Sequence, residues 1–275
     1  MSIAVVTAIA FVGMSLALSA AWVYQWRTQN AGMVDPVWAG ALGGIAVLAA
    51  CAGTGDALNR MFVGVAGGLW GLRLAVHLWR RNYGKPEDAR YRKFREQWAD
   101  AAGRNLFWFF QLQGVIAMLL AIAFFIPAFN PKPPSLVAIA IATLIWLAAV
   151  AGEALADRQL RRFAADSQHR GQVCQTGWWR YSRHPNYFFE CLHWCAYSAL
   201  AIGTPGTPAA WLTLFPPLLM AWLLLKVSGI PLLEAHLMQS RPAYRTYRQT
   251  TSVLIPWPPK KVASSSSASS SSSSS

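Results

Sequence analysis

The sequence predicts an all-α polytopic membrane bundle of about seven transmembrane helices, with one amphipathic helix lying at the bilayer surface. Three observations carry this. The chain is 55% apolar and only 13% charged. Uncharged runs of about twenty residues recur along it, the length needed to cross a hydrocarbon core. The basic residues are gathered into a few loops instead of being spread evenly.

Residues 3 to 24 form the first run, closed by Trp22, Tyr24 and Trp26, an interfacial aromatic belt, and then by Arg27. A signal peptide is the rival reading, but the basic n-region is missing and the run is long enough to span. Val37 to Thr54 and Met61 to Trp79 follow as the second and third spans. The third carries Gly64, Gly67, Gly68 and Gly71, which read as small residues permitting close helix packing in lipid. No strand precedes them, so they do not read as a phosphate loop. Arg73 and His77 stand four apart on that helix and share a face directed inward.

The most charged loop runs from Arg80 to Arg104. Inside it, Glu87 and Asp88 open a helical pattern with Tyr91, Phe94 and Trp98 on one side. Arg90, Arg92, Lys93 and Arg95 occupy much of the rest. This predicts an interfacial helix with acids at its positive end. Asn105 to Pro127 is the fourth span and Leu136 to about Leu155 the fifth, joined by a turn holding Pro131, Pro133 and Pro134. Glu153, Asp157 and Arg161 make a polar stripe where the fifth helix ends, before a basic loop with Arg158, Arg162 and Arg170.

The sixth span begins in the passage Gly177 to Glu190 and continues to about Ile202. On it Glu190, His193 and Tyr197 share one face. The turn from Thr204 to Pro208 leads into a seventh span, Ala209 to Leu233. Residues 1–262 therefore read as one transmembrane domain, with 153–259 as the ligand-binding part, and residues 263–275 as a disordered Ser-rich tail.

Lys and Arg concentrate after spans one, three and five and in the C-terminal tail, whereas the opposite loops hold only Arg60 and Lys132. The positive-inside rule then gives an outside N-terminus and a cytoplasmic C-terminus. A net charge of +13 raises the question of nucleic acid, but its confinement to loops between apolar runs answers it: a membrane protein, not a nucleic-acid binder. Cys51, Cys174, Cys191 and Cys195 include no CxxC pair. Cys191, His193 and Cys195 point to different helix faces, so no metal site and no disulfide framework is indicated.

The passage Gly177 to Glu190 concentrates the chemistry. Arg180, Arg183, His184, Asn186, Tyr187 and Glu190 lie between strongly apolar runs, a costly arrangement unless something polar binds there. Pro185 suits a first helical turn, and Arg183 and His184 just before it predict an anion site.

Arg183-His-Pro-Asn-Tyr187 followed by Glu190 resembles the signature of the steroid 5-alpha-reductase-like membrane proteins, including their DUF1295 branch. The resemblance implies an integral-membrane fold and NADPH-dependent reduction of an activated carbon–carbon double bond in an apolar, sterol-like or isoprenoid lipid. It also implies that Asp157, Arg170, Asn186, Glu190, His236 and Tyr247 hold the cofactor. Arg161, Arg180, Arg183 and Arg248, with His184 and Tyr187 of the motif, join them as phosphate-directed and motif residues. Phe189 departs from the family, which often has glycine there; a close backbone approach to cofactor is then replaced by a bulky wall.

Reduction of an enone needs a donor for the carbonyl oxygen. Glu153, His77 and Tyr83 are the candidates by position, with Asp56 and Arg73 behind them. Two rivals remain. S-adenosylmethionine-dependent isoprenylcysteine and phospholipid methyltransferases share Arg-His-Pro-x-Tyr, but carry a paired Glu-Glu where Glu234 is followed by Ala235. A non-enzymatic lipid-binding protein would use the same polar pocket without chemistry. Arg183→Ala and Asn186→Ala are expected to abolish any NADPH-dependent thermal shift while leaving expression intact.

Overall fold

The computed structural model describes residues 1–207 and 209–260. The Ser-rich segment 263–275 lies outside the described residues. Among these, the secondary structure is α-helix with short 3₁₀ and π turns, and the single β contact is an isolated bridge between Ser182 and Ser252. The chain divides into two compact units: Met1–Ala151 with Phe189–Leu232, and Gly152–Phe188 with the C-terminal segment from Leu233.

The first unit is the membrane bundle. Helix α1 (Ile3–Thr28) starts at a Ser2 cap and stops at Gln29, whose positive φ of 53° ends the helix in the left-handed region. Helix α2 (Val34–Ala52) packs along α3 (Ala57–Asn82), which Asp56 caps by accepting from the Leu58 N–H at 2.9 Å. Asp56, a positional candidate for chemistry, is thus a helix cap.

The glycines of α3 do what their spacing predicts. A Cβ on Gly71 would stand 2.5 Å from Gly43 Cα, so the two backbones touch where neither residue has a side chain. With lipid tails as apolar as the side chains, this close van der Waals contact is the main attraction available to the pair.

Helix α4 (Ala89–Trp98) is the expected amphipathic segment. Asp88 caps it, accepting from the Arg90 N–H at 2.9 Å. Burial pushes the Asp88 carboxyl up, but the Arg90 guanidinium outweighs it and leaves the group below its ordinary value. Tyr91 and Phe94 pack edge-on against Phe109 of α5 (Ala102–Leu120), and Tyr91 donates to Asp35 at 2.9 Å. Helix α6 (Ile122–Ala128) continues α5 after a break at Ala121.

Helices α7 (Leu136–Ala165) and α8 (Pro185–Ile202) correspond to the fifth and sixth expected spans. The last run is interrupted: α9 (Phe215–Trp222) passes through a π turn at Leu223–Val227 into α10 (Ile230–Ser240), before α11 (Tyr244–Thr250). The π turn lies just ahead of Pro231, which cannot supply an N–H to a regular helix.

Six described helical segments are long and apolar enough to cross a membrane, which makes the chain a polytopic helical membrane bundle. Helix α8 is not among the six. Its 18 residues reach about 27 Å at the α-helical rise, but Asn186, Glu190 and His193 lower its hydropathy. Glu190 and His193 face the inside of the protein instead. Glu190 receives the indole N–H of Trp70 at 2.9 Å and that of Trp194 at 3.0 Å, while His193 stacks on Trp70 at 4.6 Å and meets Tyr197 at 3.4 Å. The shared face of Glu190, His193 and Tyr197 is therefore turned to the core, where all three are buried.

Candidate functional site

The second unit gathers most of the motif residues. The C-terminal half of α7 presents Glu153 and Asp157 inward, 5% and 7% exposed, with Arg161 at the surface one turn later. Gly177 takes a positive φ of 59°, and the Gln159 side chain fills the space a Cβ would need, so both facts require glycine there. That same Gln159 accepts from the Trp178 N–H at 3.0 Å, and Trp179 donates to the Ala156 carbonyl at 2.9 Å. The loop after α7 is thereby pinned onto the helix.

The C-terminal segment closes over the motif by backbone pairing. The Arg183 N–H donates to Ser252 O at 2.9 Å and the Trp257 N–H to Tyr181 O at 2.9 Å. The Ser182 hydroxyl donates to Leu254 O at 2.8 Å and accepts from the His184 N–H at 3.1 Å. Tyr247 donates to the Trp179 carbonyl at 2.5 Å, with that of Ser182 at 3.1 Å.

At the centre stands Glu234. Its Oε1 accepts from Arg183 Nε at 2.8 Å, His184 Nε2 at 3.0 Å and the Tyr244 hydroxyl at 3.0 Å. Its Oε2 pairs with Arg248 Nε at 3.5 Å. Arg183 Nη1 also donates to the carbonyls of Arg248 and Thr251, both at 2.8 Å. Since Oε1 can only accept, His184 Nε2 carries the proton. Burial, and then the Glu234 carboxylate, pushes the Tyr244 hydroxyl above the ordinary tyrosine range. Burial, and then Tyr244, does the same to Tyr247. Both phenols therefore stay protonated donors.

Several expected roles change in consequence. The anion that Arg183 and His184 predict is the chain's own Glu234, so both side chains are committed to holding the tail on the motif. Tyr247 is likewise committed to two carbonyls instead of a cofactor. Glu190 belongs to the membrane unit, with an indole N–H on each carboxylate oxygen. Tyr83 caps the end of α3, 61% exposed and stacked on Trp79 at 5.3 Å, so it lacks the burial a proton donor in an apolar site requires. His77 is half-buried on α3. Asn186 donates to Asp157 at 3.4 Å, and the Tyr187 ring stacks on His184 at 5.5 Å.

The residues left available form a different set. Arg158, Arg162, Arg170, Arg180 and Arg245 are exposed and make no ion pair with another described residue; His236 is exposed on α10. Sequence reasoning missed Glu234 and Tyr244 as the hub. The one signal was an acid placed directly behind an apolar run and ahead of a Tyr-x-x-Tyr pair. Among the described residues no His, Cys, Asp and Glu group is arranged to hold a metal ion, and the cysteines are unbridged.

Fold and site together define a helical integral membrane bundle that carries a second, arginine-rich unit. The chain belongs to the family described as "Protein of unknown function (DUF1295)", which matches it over residues 21–251. Neither the curated proteins nor the solved structures contain a match to it.

Proposed function

We propose that the chain is a membrane-embedded reductase that takes NADPH at its second unit and reduces an activated carbon–carbon double bond in an apolar, enone-bearing lipid. The observation that carries this reading is the set of exposed arginines that make no ion pair with another described residue, Arg158, Arg162, Arg170, Arg180 and Arg245. NADPH presents a diphosphate and a 2′-phosphate, and the guanidinium fork is the side chain best matched to such groups. The donor set therefore fits the phosphates of the cofactor. S-adenosylmethionine has no phosphate and bears a sulfonium cation, which the same surface repels.

Bound there, NADPH supplies the hydride. The chain's own part is to hold and orient. Arg170 and Arg180 take the phosphates, and the Glu234 hub fixes the loop and tail that carry them. Glu153, buried beside Asp157 on α7, is the carboxyl best shielded from water in this unit and the preferred candidate to hold a proton for the substrate oxygen. The loop charges support an outside N-terminus and a cytoplasmic C-terminus, which in a bacterial inner membrane leaves the arginines within reach of a soluble dinucleotide.

Thermal-shift titration of the purified chain with NADPH, NADH and S-adenosylmethionine tests the proposal. Saturating NADPH at a hundredfold its Kd should stabilise the protein by about 2.7 kcal/mol, and NADH, lacking the 2′-phosphate, by less. A shift with S-adenosylmethionine alone would replace reduction by methyl transfer. No shift with any of the three would leave a lipid-binding protein without chemistry.

A further inference from the structure

A second place in the molecule is shaped for a ligand, and it lies in the membrane unit. The C-terminal end of α1, the end of α4 and the start of α5 enclose a cleft of about 640 Å³. Its walls are aromatic: Trp22 stands 5.4 Å from Phe107 and 5.2 Å from Trp26, held in place by an indole bond to Gly103 O at 2.8 Å. Trp22 and Trp26 are the aromatic belt of the first span, so the cleft sits at headgroup depth.

Its polar groups are mostly donors. Gln25 lines the cleft and is 1% exposed, its Oε1 taken by Arg95 Nη2 at 2.7 Å and its Nε2 without any hydrogen-bond partner. A buried amide donor left unpaired is destabilising, and a ligand acceptor would relieve it. Arg95 is already neutralised by Glu87 at 3.0 Å. Arg104, also lining the cleft, is exposed and makes no ion pair with another described residue. Asp100 stands on the rim one helical turn before it.

We propose that this cleft binds a phospholipid headgroup whose phosphodiester is followed by a hydroxyl-bearing alcohol, such as phosphatidylglycerol. The phosphate meets Arg104 and the free Gln25 amide, the alcohol hydroxyls meet Asp100, and the glycerol backbone rests on Trp22, Trp26 and Phe107. Asp100 repels a small free anion, whereas it accepts hydrogen bonds from a polyol, so the cleft favours the whole headgroup over bare phosphate. This site is independent of the NADPH reading: it uses other residues and needs no reduction.

The test is calorimetric titration of the full chain, in a phosphate-free maltoside detergent, with short-chain phosphatidylglycerol. Diacylglycerol of the same chains and the deacylated headgroup glycerophosphoglycerol serve as the comparison ligands. The parent should bind phosphatidylglycerol saturably and diacylglycerol at least tenfold more weakly. Arg104→Gln, at an exposed position, should weaken phosphatidylglycerol about tenfold. Gln25→Glu keeps the size and the acceptor for Arg95 but replaces the free donor, and should weaken it as much. Equal binding of parent and both variants, or of diacylglycerol and phosphatidylglycerol, would overturn the site. Glycerophosphoglycerol binding as tightly as the lipid would overturn the lipid as occupant.

Discussion

Taken each by itself, the two units of this chain are built by different means. In the membrane unit, α2 and α3 meet through glycine and alanine, and the buried carboxylate of Glu190 is held by two indole donors. In the second unit a single carboxylate gathers Arg183, His184, Tyr244 and Arg248, and backbone pairing to the tail does the rest. The difference teaches where charge is structural and where it is available. A charge with several partners is part of the frame; one with none in the protein is offered to something else.

Breaking the close helix contact should have the largest effect. Gly71→Leu drives a side chain into the Gly43 backbone and should abolish the folded protein, read as loss of the monodisperse peak in detergent chromatography. Glu234→Gln comes next. It leaves the Arg183 guanidinium, 10% exposed, without its counter-charge, and should cost about 3 kcal/mol, a fall in melting temperature of roughly 6–12 °C. Arg183→Ala should cost at least as much as Glu234→Gln, because the same ion pair is lost together with the bonds to the Arg248 and Thr251 carbonyls; a variant that melts with the parent would make the hub ornamental. Trp70→Phe removes one of the indole donors on Glu190 and should cost about 1–2 kcal/mol by the same assay. The pair Arg170→Gln and Arg180→Gln should be smallest, within about 0.5 kcal/mol of the parent, since both side chains are exposed and make no ion pair with another described residue.

Much of the membrane unit was legible because its determinants are local. The spacing of Tyr91, Phe94 and Trp98 gives the amphipathic helix, and Gly67 and Gly71 give the α2–α3 contact, each from a few neighbouring residues. The hub was not legible for the converse reason. Glu234 finds its donors fifty residues back and ten residues on, and no local period announces such a meeting. Glu190 shows the same limit: its motif position suggested a ligand, yet its indole partner Trp70 lies 120 positions away. The arginines were read as one group from composition, and only their partners separate Arg183, built into the frame, from Arg170 and Arg180, left outside it. The π turn at Leu223–Val227 depends on how a continuous apolar run meets Pro231, and hydropathy alone does not record it.

That separation of structural from available arginine is most directly tested by one titration. NADPH should be bound by the parent, and by Arg170→Gln/Arg180→Gln at least tenfold more weakly, although the double variant melts at the parent temperature. Unchanged NADPH affinity in the double variant would contradict the account.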